Sequence, residues 1–194
     1  MKKIIMIIIV LVLLILGRIV TYIEIKDKKN NPNGYSRKLL NLINKEPTYD
    51  KLLRVRYSNS GDMNGNIDTI ELDIINKKVT TEYRAEMGDP IKVVEYSVED
   101  KTIENIQEDI NKYNFPMWKD LKLNYEMVAL DAPTETITFI YDSSKLNRST
   151  VDTYTINFDM EIPEDGGKYI QNFKEKIFKL KNKSNKIKEY NRED

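Results

Sequence analysis

Histidine and cysteine are both absent from the 194 residues. Without them the chain cannot build a Ser-His-Asp triad, a cysteine nucleophile, a disulfide or an ordinary zinc site. Glycine (seven) and proline (six) are sparse, tryptophan occurs once, and there is no glycine-rich phosphate loop. An excess of either charge is lacking too, since 31 basic residues balance 31 acidic ones. Ile, Lys and Asn are abundant, with 25, 24 and 19 copies, the bias of a low-GC genome. A single Lys or Asn therefore carries little information. The length supports one ordinary domain, or one domain plus an appendage.

The neutral total hides a segregated charge. Residues 1–49 hold 9 basic and 3 acidic side chains, 50–165 hold 13 and 24, and 166–194 hold 9 and 4. An acidic body thus lies between basic ends. Lys2 and Lys3 precede a wholly apolar run over 4–16, which Ile19, Val20, Tyr22 and Ile23 extend past Gly17-Arg18. Two readings fit. A signal peptide has this basic start and apolar stretch, but no small-residue cleavage site follows. An uncleaved anchor fits as well: 4–23 is roughly 30 Å of helix, enough to cross the hydrocarbon core. Arg18 would snorkel, and Tyr22 would sit at headgroup level. The expected localisation is the cell membrane, single-pass, with the C-terminal domain extracytoplasmic.

After the segment 1–25, the polar stretch 26–34 (KDKKNNPNG) reads as a linker. Ser36 is expected to cap a short helix through Lys45, ended by Pro47. Residues 51–57, 68–75, 78–86 and 91–97 alternate apolar and polar, joined by turns at Asn76-Lys77 and Gly88-Asp89-Pro90. They predict a four-stranded antiparallel meander. A helix capped by Ser97 or Asp100 should follow, with Ile103, Ile106, Ile110 and Tyr113 on one face and Pro116 forbidding continuation. Two further strands are expected over 134–141 and 151–160. A last helix, from near Gly166, carries Tyr169, Ile170, Phe173, Ile177 and Leu180 on one face. The fold class is α+β: an antiparallel sheet (four-stranded meander, helix, two further strands, C-terminal helix) behind an N-terminal transmembrane helix. The domain spans 35–181 and a charged tail spans 182–194.

Several motifs resemble a group of small bacterial exported or membrane-anchored α+β domains with no assigned activity. They are Tyr57-Ser-Asn-Ser-Gly-Asp-Met-Asn-Gly65, Asn114-Phe-Pro-Met-Trp118, Asp131-Ala-Pro before a strand, and Ile162-Pro163 before a helix containing Phe173. The resemblance covers about residues 51–181. In that group a Gly usually follows the Asp before the fifth strand and an aromatic comes soon after. Ala132 and Thr136 stand here instead. The resemblance implies an antiparallel α+β domain and no catalytic residue.

Asp62, Asn64, Asn66 and Asp68 place oxygen ligands at alternate positions, as calcium loops do, but Ile67 replaces the sharp-turn Gly and Asp73 the bidentate Glu. A structural hairpin explains them as well. Glu71 and Asp73 share a strand face and could serve acid–base chemistry, or simply face solvent. Asp131 sits at a strand start, where an Asx-type turn cap is the default. Trp118 with Phe115 and Met117 is expected in the core rather than on a ligand platform. Residues 168–188 hold eight Lys and only Glu175 as an acid, leaving Lys174, Lys181, Lys183, Lys186 and Lys188 free to meet anionic lipid or a wall polymer. A protein partner is the other expectation, and nucleic acid is not. No catalytic, cofactor or metal residue is assigned. The function expected is a non-enzymatic binding or structural module at the bacterial cell envelope. The alternative is a carboxylate-based hydrolase of wall glycan, which needs two acids in one cleft about 5–10 Å apart.

Overall fold

The computed structural model describes residues 15–16, 18–22, 26, 31, 33–46, 51–60, 64–122, 134–142 and 151–193. The chain forms two compact units, Met1–Leu40 and Asn41–Asp194. In the first unit, residues 15–16, 18–22 and 26 are helical. Ile15, Leu16, Ile19, Val20 and Tyr22 are all exposed there. No helix among the described residues is long and apolar enough to cross a membrane. The expected transmembrane helix is thus not found among the described residues, and residues 4–14, 17 and 23 of its span lie outside them. Asn31 and Tyr35 exchange hydrogen bonds, and the Ser36 hydroxyl accepts the Leu39 N–H at 3.2 Å. That cap starts α1 (Arg37–Ile43), as Ser36 predicts.

The second unit is an antiparallel sheet of β1 (Leu52–Ser60), β2 (Ile67–Asp73), β3 (Lys78–Arg84), β4 (Ile91–Ser97), β5 (Thr134–Asp142), β6 (Val151–Asn157) and β7 (Asn185–Arg192). Their spatial order is β6-β5-β1-β2-β3-β4-β7. Alternation selects the buried face, because paired residues in an antiparallel ladder lie on the same side. Tyr154, Phe139, Val55, Leu72 and Val79 form one continuous row across five strands. Ile156, Ile137, Tyr57 and Ile70 form the next.

Helices cover this face. They are α2 (Asp100–Tyr113), the 3-10 helix η1 (Phe115–Asp120) and α3 (Glu164–Lys183). Ile103, Ile106 and Ile110 of α2 and Ile170, Phe173, Ile177 and Leu180 of α3 are buried, each set at helical spacing. Phe173 packs against Phe139 and Phe115 with ring centroids 5.9 and 5.0 Å apart. Phe178 meets Tyr57 edge-on at 4.6 Å.

The expected N-cap of α2 is corrected, whereas its C-terminal end falls at Tyr113 as expected. Its N-cap is Glu99, with no side-chain cap bond, because Asp100 pairs with Lys77 at 2.8 Å. The helix stops at Asn114, which adopts the left-handed conformation (φ 51°) and donates its N–H to the Ile110 carbonyl. Pro116, which cannot continue α2, lies instead in the first turn of η1, where a missing N–H costs nothing.

The largest correction concerns 182–194. Within the expected charged tail, Asn185–Arg192 form an ordered strand, β7, paired with β4 along its length. It was hidden because seven of its eight residues are exposed, so no apolar alternation marks it. The six expected strands are thus seven, and the meander is interior: β5 and β6 add beside β1 and β7 beside β4.

Candidate interaction surface

The face of the sheet turned away from α2 and α3 carries the polar positions of β1 and β2, with Thr69, Ile91 and Val93 buried among its side chains. Arg54 and Arg56 alternate with the buried Val55 and Tyr57, so they point away from the core. The register sets Arg56 opposite Glu71 and sets Glu82 opposite Thr69 on the same face. An ion-pair chain results. Arg54 lies 3.5 Å from Glu71, Glu71 lies 4.0 Å from Arg56, Arg56 lies 3.8 Å from Glu82, and Glu82 lies 2.8 Å from Arg192. It runs from β1 to β7. Lys78 and Glu95 pair beside it at 3.3 Å. Toward β6 the charges give way to hydroxyls, with Thr138 and Thr155 joined at 3.0 Å.

The arginine side chains are about two-fifths exposed, and Glu82 is 17 % exposed. Half-exposed pairs add little stability one by one. As a network they fix a flat pattern of alternating charge and hold each side chain in place. Such a surface suits recognition of a complementary charged partner more than covalent chemistry.

On the covered side, one polar cluster stands out. Lys174 of α3 pairs with Glu135 of β5, and its ammonium lies 5.9 Å from the Tyr57 ring and 5.0 Å from the Phe158 ring. Burial first, and then the Glu135 carboxylate beside it, push the Tyr57 hydroxyl well above its ordinary value of 10.0. The hydroxyl therefore stays protonated.

A shallow groove of about 270 Å³ lies between α2 and α3, lined by Asp109, Tyr113, Tyr169, Asn172, Glu175, Lys176 and Lys179. Tyr113 and Tyr169 stack there at 4.5 Å. Its two acids are both engaged by lysine, Asp109 with Lys176 and Glu175 with Lys179.

The residues singled out from sequence are dispersed. Asp62 and Asp131 lie outside the described residues. The Asn64 carbonyl accepts the Met87 N–H at 2.6 Å and the Gly65 carbonyl accepts Arg84 Nε at 3.0 Å, so the hairpin is tied to the β3–β4 turn. No group of three or more His, Cys, Asp or Glu suited to a metal occurs among the described residues. Glu71 and Asp73 do share a face, but Glu71 serves two arginines. Asp73 caps a turn by accepting both the N–H and the side-chain amide of Asn76. Trp118 is fully buried beside Phe115 and donates its indole N–H to the Tyr113 carbonyl at 3.0 Å, so it sits in the core as expected.

Of the lysines expected to be free, Lys174 is paired with Glu135 and Lys186 with Glu189. Lys188 lies over the Tyr190 ring at 4.4 Å, and Lys181 is exposed. The acidic body pairs with Lys174 and Lys176 of the basic stretch, through Glu135 and Asp109. The ion-pair network escaped notice because Arg54, Arg56, Glu71 and Glu82 read as ordinary solvent-side residues. Only the register joins them.

No protein-family model, curated protein or solved structure matches this chain.

Proposed function

We propose that this chain is a membrane-anchored, extracytoplasmic binding module that engages a charged partner protein through the charged face of its sheet. The anchor rests on one observation. Ile15, Leu16, Ile19, Val20 and Tyr22 are exposed on helical backbone, in continuity with the apolar run from residue 4. Apolar side chains turned outward in this way find a favourable solvent in lipid. Binding is supported by the Arg54–Glu71–Arg56–Glu82–Arg192 chain, a charge pattern on the face turned away from α2 and α3, whose arginines are about two-fifths exposed. Contact with anionic headgroups would draw on Lys181 and Lys188, a smaller set than the sequence offers.

Two measurements test this reading. Full-length protein should begin at Met1 and stay with membranes after a high-salt wash. A soluble mature form beginning near residue 25–30 would sink the anchor. Partner capture from native membranes should then be compared between wild type and an Arg56→Glu/Glu82→Lys variant. Loss of one specific partner, with unchanged melting, is the expected result. An identical capture profile would remove the charged face from the function.

A further inference from the structure

We propose that the outer edge of β4 is a strand-receiving surface, and that its alternative occupant is β7 from a second copy of this chain. In this structure the edge is filled by the chain's own β7, and that occupancy shows what fits there. Val93 stands opposite Tyr190 and Ile91 opposite Arg192. Lys92 reaches Glu189 at 2.9 Å and Arg192 reaches Glu82 at 2.8 Å. Any exchanging strand must meet the same pattern of aromatic, acid and cation, and an identical β7 meets all of it.

The two sides of this pairing are unequal. On β4, Ile91, Val93 and Val94 are buried. On β7 only Tyr190 is even half-buried. The strand is held by backbone hydrogen bonds and by exposed ion pairs, with little side-chain burial, so it belongs to the low-stability end of the fold. The stretch Ile91–Ser97 that it covers is rich in β-branched and aromatic residues. Bared, such an edge pairs readily with another strand.

The connection permits the exchange. The apolar stripe of α3 ends at Leu180, which is buried, whereas Lys181 and Asn182 are exposed. Ser184 is already extended (φ −115°, ψ 148°) between helix and strand. Unwinding 181–184 lengthens the hinge without uncovering the core. Exchange between two copies is reciprocal and closes as a two-fold dimer. Growth beyond it is opposed by Lys186 and Lys188 on β7, since charged edges resist further strand addition.

The absence of cysteine makes the test clean. Ser97 and Asn185 are exposed register partners, and directly opposed antiparallel residues lie within disulfide reach. Full-length Ser97→Cys and Asn185→Cys proteins are mixed in a thiol–disulfide buffer. A 97–185 disulfide between chains should form several-fold faster than in a control mixture of Asn185→Cys with Asn111→Cys. The double variant Ser97→Cys/Asn185→Cys should form the same bond within one chain and lose the exchange. Isotopically heavy and light wild-type chains, mixed and read by native mass spectrometry, should give mixed dimers. The proposal is overturned if the inter-chain 97–185 bond forms no faster than the control, or if the wild-type mixture stays monomeric.

Discussion

The side-chain amide of Asn114 donates to the Lys45 backbone carbonyl at 2.7 Å, across 69 residues of sequence. The same amide reaches the carbonyls of Leu42 and Ile43 at 3.1 and 3.2 Å. One buried side chain therefore satisfies the C-terminal carbonyls of α1 while its own backbone turns the chain from α2 into η1. Asn suits both tasks, because it tolerates the left-handed conformation and carries two donor hydrogens.

Replacing Asn114 by Ala should remove those bonds and leave its β-carbon at positive φ without the side-chain contacts that offset the strain. A loss of about 2–4 kcal/mol is expected, combining unmade buried hydrogen bonds with left-handed strain. Asn114→Gly should lose less, since it keeps the conformation and drops only the bonds. Urea denaturation of both variants checks the order, and equal losses would remove backbone strain from the account.

The core of α2 offers a second test. Ile106 and Ile110 are 2 % and 1 % exposed. Truncation of either to Ala should cost on the order of 2–5 kcal/mol, by transfer and cavity terms together. Melting temperatures within a degree of the parent would contradict the packing of α2 against the sheet.

Acid should loosen β7 before the rest of the fold. The Lys186 hydrogen bond first, and then the Lys92 bond, hold the Glu189 carboxyl down to about 2, against an ordinary 4.5. A depressed carboxyl contributes its stabilisation above its unfolded value and loses it as pH falls toward the folded value. The hold on β7 is therefore complete above pH 4.5 and fades toward pH 2. Amide exchange in 185–192, corrected for intrinsic rates, should rise over that window ahead of exchange in β1 and β2. Glu189→Gln should remove the Glu189 share of this pH dependence, leaving that of the Glu82–Arg192 pair.

Alkali should act at the other end of the range. The raised hydroxyl of Tyr57 means that the folded state keeps a proton which the unfolded chain releases near pH 10. Stability from this group is complete below that value and falls as pH rises above it. Tyr57→Phe keeps the ring against Phe178 and should flatten the decline between pH 10 and 11, followed by denaturation at fixed temperature.

Gly65 is a position where a side chain would be crowded. Its φ is +69°, and a β-carbon there would sit 3.0 Å from Met87 Cβ. Gly65→Ala should cost about 1–2 kcal/mol from the left-handed conformation, with the contact adding to it. A Met87→Gly background, which removes that β-carbon, should recover the steric part, and the double-mutant cycle reads the difference.

Much of this architecture follows from local rules that the sequence displays. Val55 and Tyr57 against Arg54 and Arg56, or Ile70 and Leu72 against Glu71, alternate with the period of a strand, and one buried face follows. Ile103, Ile106 and Ile110, and likewise Ile170, Phe173, Ile177 and Leu180, recur at the helix period, so two covering helices were legible before any coordinates. The absence of His and Cys settled which chemistries are impossible, since no fold supplies a missing functional group.

Tertiary structure alone decided the rest. Which strands neighbour one another depends on long-range pairing, so β5 beside β1 has no local signature. β7 owes its existence to backbone bonding with β4, and backbone groups are the same in every residue. The pairing of Arg56 with both Glu71 and Glu82 depends on a register that one residue of slip would reverse. The partners of Lys174 and Lys176, Glu135 and Asp109, lie 39 and 67 residues away in sequence. Charge composition shows how many such groups exist; only the folded chain determines which of them meet.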